Sequence, residues 1–222
     1  MDIALPTVAQ AAPQLDFTVE DAGPLQHAVA PTLRFALRIA STGVAPVRSV
    51  GLGVEVRIAA TRRRYDAQAR ERLVELFGRP EDWGRNLHTL HWTSVNVQVP
   101  GFEGSTLVDL LVPLSYDLEV KGSRYFQALE DGDVPLEFLF SGTVFYARPD
   151  GRLQVDRIGQ DRECTFRLPV STWRETMDRH FPGAGWLRLE RDTFEALCEY
   201  KARHTHLTWE QAIRALLARA DD

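Results

Sequence analysis

The sequence predicts a mainly β (α+β) protein: an antiparallel β-sandwich with short inserted helices and a helical C-terminal tail. Three observations predict it. Apolar and polar residues alternate through most of the chain up to about residue 170, the period of strands with one wet face. Turn residues, including Ser-Thr-Gly and Pro-Asp-Gly runs, punctuate the alternation. Helical periodicity is confined to short insertions and to the last thirty or so residues.

The strands follow in order. Leu15, Phe17 and Val19 alternate with Asp16, Thr18 and Glu20, and Leu33, Phe35, Leu37 and Ile39 with Arg34, Ala36, Arg38 and Ala40. Val50, Leu52, Val54, Val56 and Ile58 alternate with Gly51, Gly53, Glu55 and Arg57. A helix is expected next, with Asp66 as N-cap, an apolar face of Ala69, Leu73, Leu76 and Phe77, and Gly78 and Pro80 as its stop. Alternation resumes with Val95, Val97 and Val99. Residues 106–120 read as one or two strands broken near Pro113, and 122–132 as a short helix. The run Val134–Tyr146 is apolar on both faces and is placed centrally in a sheet. An Asp-Gly hairpin signal and a return strand carrying Cys164, Phe166 and Leu168 complete the set.

In the tail, Ser171 is expected to cap a helix with Trp173, Met177 and Phe181, and residues 182–190 to form a loop and a last strand. Asp192 with Glu195, and Thr208 with Gln211, have the spacing of helix-starting boxes. The last helix carries a stripe of Trp209, Ala212, Ile213, Leu216 and Leu217. The expected organisation is a loose tail over 1–13, a sandwich domain over 14–190, and helices over 191–222 packed on it.

Composition narrows the function classes. A net charge of −5 argues against a surface that wraps nucleic acid. No apolar run reaches the ~20 residues of a membrane span, and the N-terminus lacks the basic start of a signal peptide. Two cysteines, Cys164 and Cys198, are too few for a disulfide framework, so a cytoplasmic, reducing location is expected.

Each candidate for chemistry has a plain structural alternative. His88 and His91 stand three apart, but on a strand that spacing turns side chains to opposite faces, and no third ligand stands at metalloprotease spacing. His204 and His206 suit a helix C-terminus. Ser105 and Ser141 lie outside any nucleophile elbow. Cys164 and Cys198 read as small buried hydrophobes. Gly51 and Gly53 fail the dinucleotide fingerprint and mark a bulge or a close backbone approach. The acidic residues Asp109, Asp117, Glu119, Asp131 and Asp133 offer no pair that sequence spacing can select. The sharpest charge feature is Arg62-Arg63-Arg64, which can bind an anion or an acidic partner, or can stand as a solvated junction beside Asp66, Glu71 and Glu75.

Several strings carry a resemblance: Arg62-Arg63-Arg64-Tyr65, Trp83-Gly84, His91-Trp92-Thr93, Val99-Pro100-Gly101-Phe102, Tyr116-Asp117-Leu118-Glu119-Val120, Val134-Pro135-Leu136, Phe140–Phe145, Met177–Pro182 and Gly185-Trp186-Leu187. Across about residues 15–205 the chain resembles an uncharacterised bacterial family, a domain of unknown function found mainly in actinobacteria. Genes of that family often stand beside nickel–iron hydrogenase and maturation genes. The resemblance therefore implies an accessory or assembly role, with no catalytic residues to carry over.

The function expected first is a non-enzymatic accessory or protein-binding module. Its partner or anion surface would comprise Arg62, Arg63, Arg64, Tyr65, His91 and Trp92, and its partner would be a protein such as a hydrogenase component. No cofactor is expected. The alternatives are a small-molecule or metal-binding sandwich using His88 and His91, with His180, and a hydrolase with dispersed residues.

Overall fold

The computed structural model describes residues 12–43, 45–114, 120–148, 150–180, 182–183 and 189–220. The chain divides into two compact units, Met1–Gly185 and Trp186–Asp222.

The first unit is the expected antiparallel sandwich. Its strands are β1 (Gln14–Pro24), β2 (Thr32–Thr42), β3 (Val47–Ile58), β4 (Leu90–Phe102), β5 (Ser105–Pro113), β6 (Asp133–Ala147), β7 (Leu153–Arg157) and β8 (Glu163–Pro169). One sheet has the order β1-β2-β5. The other has the order β4-β3-β6-β7, with β8 also paired to β6. Short helices fill the connections: α1 (Ala67–Arg72), α2 (Val74–Phe77), α3 (Trp83–Asn86), α4 (Lys121–Gln127) and α5 (Val170–Asp178).

Alternation places one face of each sheet in the core. Leu33, Phe35, Leu37 and Ile39 from β2 face inward, as do Val50, Leu52, Val54, Val56 and Ile58 from β3. Aromatic rings join the layers. Phe17 stacks on Phe140 at 4.1 Å between ring centres. Phe35 meets Phe138 edge-on at 5.3 Å and Phe166 at 6.1 Å. Phe126 of α4 lies against Trp92 at 5.0 Å and stacks on Trp173 of α5 at 5.3 Å. Such pairs add to the area term only when offset or edge-on geometry suits the ring quadrupoles.

Several expectations need correction. The single helix after Asp66 is two, divided at Leu73, although Asp66 does cap it by accepting from the Ala69 N–H at 2.7 Å. Strand β6 is not apolar on both faces: Glu137, Leu139, Ser141, Thr143 and Phe145 alternate with buried partners. An additional strand, β7, follows the Asp-Gly turn, where Gly151 has φ 79°. Ser171 does not cap α5, because β8 runs directly into that helix through Pro169, and the Val170 N–H is taken by the Gly132 carbonyl at 2.8 Å. The expected loop and strand around Gly185-Trp186-Leu187, the segment Tyr116–Glu119 and most of the expected 1–13 tail lie outside the described residues.

The second unit holds α6 (Arg191–Arg203) and α7 (Trp209–Ala220). Asp192 and Glu195 do not form a capping box; the N-cap is Glu190, without a side-chain bond. Thr208 and Gln211 do. The Gln211 N–H donates to Thr208 Oγ1, and Gln211 Oε1 accepts from the Thr208 N–H. Within this unit Phe194 packs on Trp209, Lys201 lies over the Trp209 ring, and Tyr200 gathers His204, His206 and Arg219.

Candidate binding face on the five-stranded sheet

The residues singled out at the arginine junction divide into two groups. Arg63 turns toward the fold. Its guanidinium donates to the Asp133 carbonyl at 2.7 Å and to the Asp131 carbonyl at 2.6 Å, clamping the turn before β6. Tyr65 donates to the Ala60 carbonyl at 2.7 Å and accepts from the Tyr125 hydroxyl at 2.6 Å. Burial pushes both phenols above their ordinary range. Trp92 is half-buried against Phe35 and Phe126, and its ring presses so close to Gly122 that a β-carbon there would stand 2.5 Å away. Arg64 is exposed.

Removing Arg63 should therefore act on stability. Arg63→Ala is expected to lower the unfolding free energy by about 1.5–3 kcal/mol, since a charged donor bonds two carbonyls. Arg64→Ala should change it by less than about 0.5 kcal/mol. Urea titrations of the two variants measure both, and equal losses would contradict the assignment.

The remaining two residues lie at one end of a surface that the sequence does not reveal. It is the outer face of the five-stranded sheet, the side turned from the core. Its lateral rows follow from register. Gly51 pairs with Gln98 and Thr143, Gly53 with Asn96 and Ser141, Glu55 with Ser94 and Leu139, and Arg57 with His91 and Glu137. Arg62 reaches the last row through Glu137 at 3.2 Å. Arg57 Nε donates to Glu55 at 2.7 Å; that bond, with the charges of Arg57 and His91, holds the Glu55 carboxyl below its ordinary range. At the opposite end Phe145 pairs with Val155, which is 58% exposed.

Between these ends the two glycines leave a depression of about 430 Å³ lined by Gly51, Gly53, Asn96, Gln98, Ser141 and Gly142. A β-carbon on Gly53 would stand 3.1 Å from Ser141 Oγ and 3.4 Å from Asn96 Oδ1, so these polar atoms border a floor without side chains. Gly53 thus serves a close approach, a β-carbon on Gly51 would meet only Gln98 Oε1 at 3.8 Å, and no bulge lies between the two. The detectable signal was two glycines at i, i+2 on one strand face with Asn-x-Gln on another alternating strand.

A second cavity, of about 390 Å³, lies where β1 meets the β7–β8 connection. Asp156, Arg157, Asp161 and Arg162 line it, and Arg162 already donates to Asp16 and Gln14 at 2.9 Å each, so it joins the sheets.

The three histidines of the metal reading each have their own partner. His88 Nδ1 lies 2.7 Å from the Asn86 carbonyl, and His91 Nε2 lies 3.1 Å from Ser94 Oγ. His180 reaches the Ala28 carbonyl at 3.0 Å, tying α5 to the β1–β2 loop. Among the described residues no three His, Cys, Asp or Glu side chains gather as a metal cage. Cys164 is half-buried, and burial raises its thiol pKa against a backbone hydrogen bond at Val19 that opposes the rise.

An antiparallel sandwich of eight strands among the described residues, with an outer sheet face that carries a depression, defines a β-sandwich protein with a candidate binding face. The chain belongs to the Family of unknown function (DUF6084), whose profile covers residues 12–222, a wider span than that of the motifs. Among curated proteins none matches the sequence. Similar solved structures include a protein described as late embryogenesis abundant, 13% identical over 71% of this chain and 72% of that one, with a TM-score of 0.30. A protein from Bordetella pertussis described as ApaA is 12% identical over 71% of this chain and 98% of that one, with a TM-score of 0.25. Beta-glucosidase 3B from Thermotoga neapolitana is 14% identical over 70% of this chain and 17% of that one, with a TM-score of 0.26. Likenesses at these scores carry no argument. No helix among the described residues is long and apolar enough to cross a membrane.

Proposed function

We propose that the protein is a non-enzymatic accessory module that holds a protein partner against the outer face of its five-stranded sheet, and that this partner belongs to a nickel–iron hydrogenase system. One observation supports the binding reading. The face is ordered along β3, from a charged end at Arg57, His91, Glu137 and Arg62, through a trough edged by amides and hydroxyls with Arg157 beside Thr143 on its β7 side, to an apolar end at Phe145 and Val155. A solvated face with no partner has no need of two adjacent same-face glycines, which weaken a strand interior.

The hydrogenase reading rests on the resemblance to an actinobacterial family encoded beside hydrogenase and maturation genes. It places the protein in the cytoplasm, where two free cysteines are suited to reducing conditions. Co-purification with the full chain from cells grown on hydrogen tests the proposal. A hydrogenase subunit or maturation protein is expected to be retained, and to be lost with Gln98→Arg, which places a bulky charge on the exposed rim. Recovery of the protein alone, or retention unchanged by Gln98→Arg, overturns it.

A further inference from the structure

We infer that the Gly51–Gly53 trough binds an extended peptide segment of a protein partner, laid along β3 with an apolar side chain at the Phe145–Val155 end. The inference rests on the binding reading above and specifies the chemistry of what is bound.

The floor comes first. Gly51 and Gly53 are ladder members bonded to β4 on one side and β6 on the other. Their backbone groups are already engaged, so a ligand cannot be held by adding a strand to them. It must be held by the side chains on the rims. Those rims are rich in hydrogen-bonding atoms: Asn96 and Gln98 from β4, Ser141 and Thr143 from β6, with the exposed Arg157 of β7 beside Thr143 as the cation paired to them. Among the described residues no side-chain hydrogen bond engages Asn96 or Gln98, and both are exposed.

Spacing then selects the ligand. Asn96 and Gln98 are two apart on a strand, which sets them roughly 7 Å apart on the same face. An extended peptide repeats its same-side backbone groups at that interval. Each primary amide offers one acceptor and two donors, matching the N–H and C=O of one peptide unit. The floor without side chains lets the peptide backbone come within reach of both rims. From the Glu137 row to the Phe145 row the face is about 27 Å long, room for roughly eight extended residues.

The two ends give direction. Phe145 and Val155 offer an apolar seat, with Val155 58% exposed. At the far end Arg57 is paired to Glu55 and Arg62 to Glu137, so a polar residue of either sign meets a partly neutralised surface. Alternate side chains filling pockets while the backbone is held is the usual logic of extended-peptide recognition. A sugar would also meet hydrogen-bonding rims, but none of the residues lining the depression is aromatic, and the stacking platform a pyranose ring uses is missing from that lining.

A phage-displayed library of random octapeptides, selected on the full chain, tests the inference. Enriched sequences are made as labelled peptides and measured by fluorescence anisotropy; the same protein is also applied to a glycan array. Enriched peptides should share an apolar residue near one end. The double variant Asn96→Ala, Gln98→Ala should weaken them by about tenfold or more, and Val155→Ser should weaken the peptides carrying that residue. Gly53→Val, which fills the floor, should abolish binding. If Gly53→Val does not fold by circular dichroism, the double variant decides, since it alters exposed side chains only.

Equal binding by wild type and the double variant overturns the inference, as does trough-dependent capture of glycans in place of peptides. Failure to enrich any peptide, while a hydrogenase component still co-purifies and is lost with Gln98→Arg, overturns the inference and leaves the proposed function standing. Trough-dependent peptides without co-purification have the reverse outcome.

Discussion

Gly142→Ala is expected to abolish the folded sandwich or to lower its melting temperature by more than about 10 °C, the scale of a loss above about 4 kcal/mol in a chain of this size. Gly142 sits in the middle of β6 with φ +135°, a conformation closed to residues with a β-carbon. A β-carbon there would stand 2.0 Å from the Gly51 carbonyl oxygen. That oxygen belongs to the central strand of the sheet, bonded on both sides, and cannot retreat. The strand cannot retreat the other way either, because the Gly142 carbonyl accepts from the Ile158 N–H at 3.0 Å where β7 gives way to the loop before β8. Gly51→Ala is the control. Its nearest non-neighbouring atom would be Gln98 Oε1 at 3.8 Å, an ordinary contact. Thermal melts of the two variants measure the difference, and a Gly142→Ala protein as stable as Gly51→Ala would contradict the geometry.

Phe126→Ala is expected to destabilise the first unit by about 3–5 kcal/mol, the range for removing a fully buried aromatic ring. Phe126 is 0% exposed. Its ring fills the space between Trp92 of β4 and Trp173 of α5, so truncation leaves two indoles facing a cavity. The strand that carries Trp92, β4, is held in its ladder with β3 and cannot move in to fill it. Phe126→Leu keeps most of the volume and should cost less than about 1.5 kcal/mol. Urea denaturation followed by tryptophan fluorescence reads both, and equal losses would show that the ring is not wedged.

How far these features can be read from sequence varies with the range of the interaction behind them. The alternation that defines β1, β2 and β3 is local, and each strand lies where its period places it. The Asp66 and Thr208 caps are local too, with donors three residues from acceptors. Ser171 and Asp192 carry equally good local signals that do not form caps. At Ser171 the reason is visible: the helix begins at Val170 with Pro169 in the N-cap position, so Ser171 stands inside its first turn and not at its end. Arg63 was legible as a cation and illegible as a clamp, since its acceptors lie 68 and 70 residues away. The candidate face was half legible. His91 and Arg62 stood out as charged and aromatic-flanked residues. The trough did not, because Gly51, Asn96 and Ser141 come from three strands, and only register brings them into adjacent rows.

The pairing of β3 with β6 also bears on how the chain reaches its native state. Gly53 and Ser141 meet across 88 residues of sequence. Closing so long a loop is entropically expensive, and chains dominated by such contacts fold in milliseconds to seconds, well below the rates of helical bundles. During synthesis at about 5–20 residues per second, β3 and β4 would leave the ribosome several seconds before β6 exists. For that interval the inner edge of β3, the β-branched strand at the centre of the finished sheet, has no neighbour to bond.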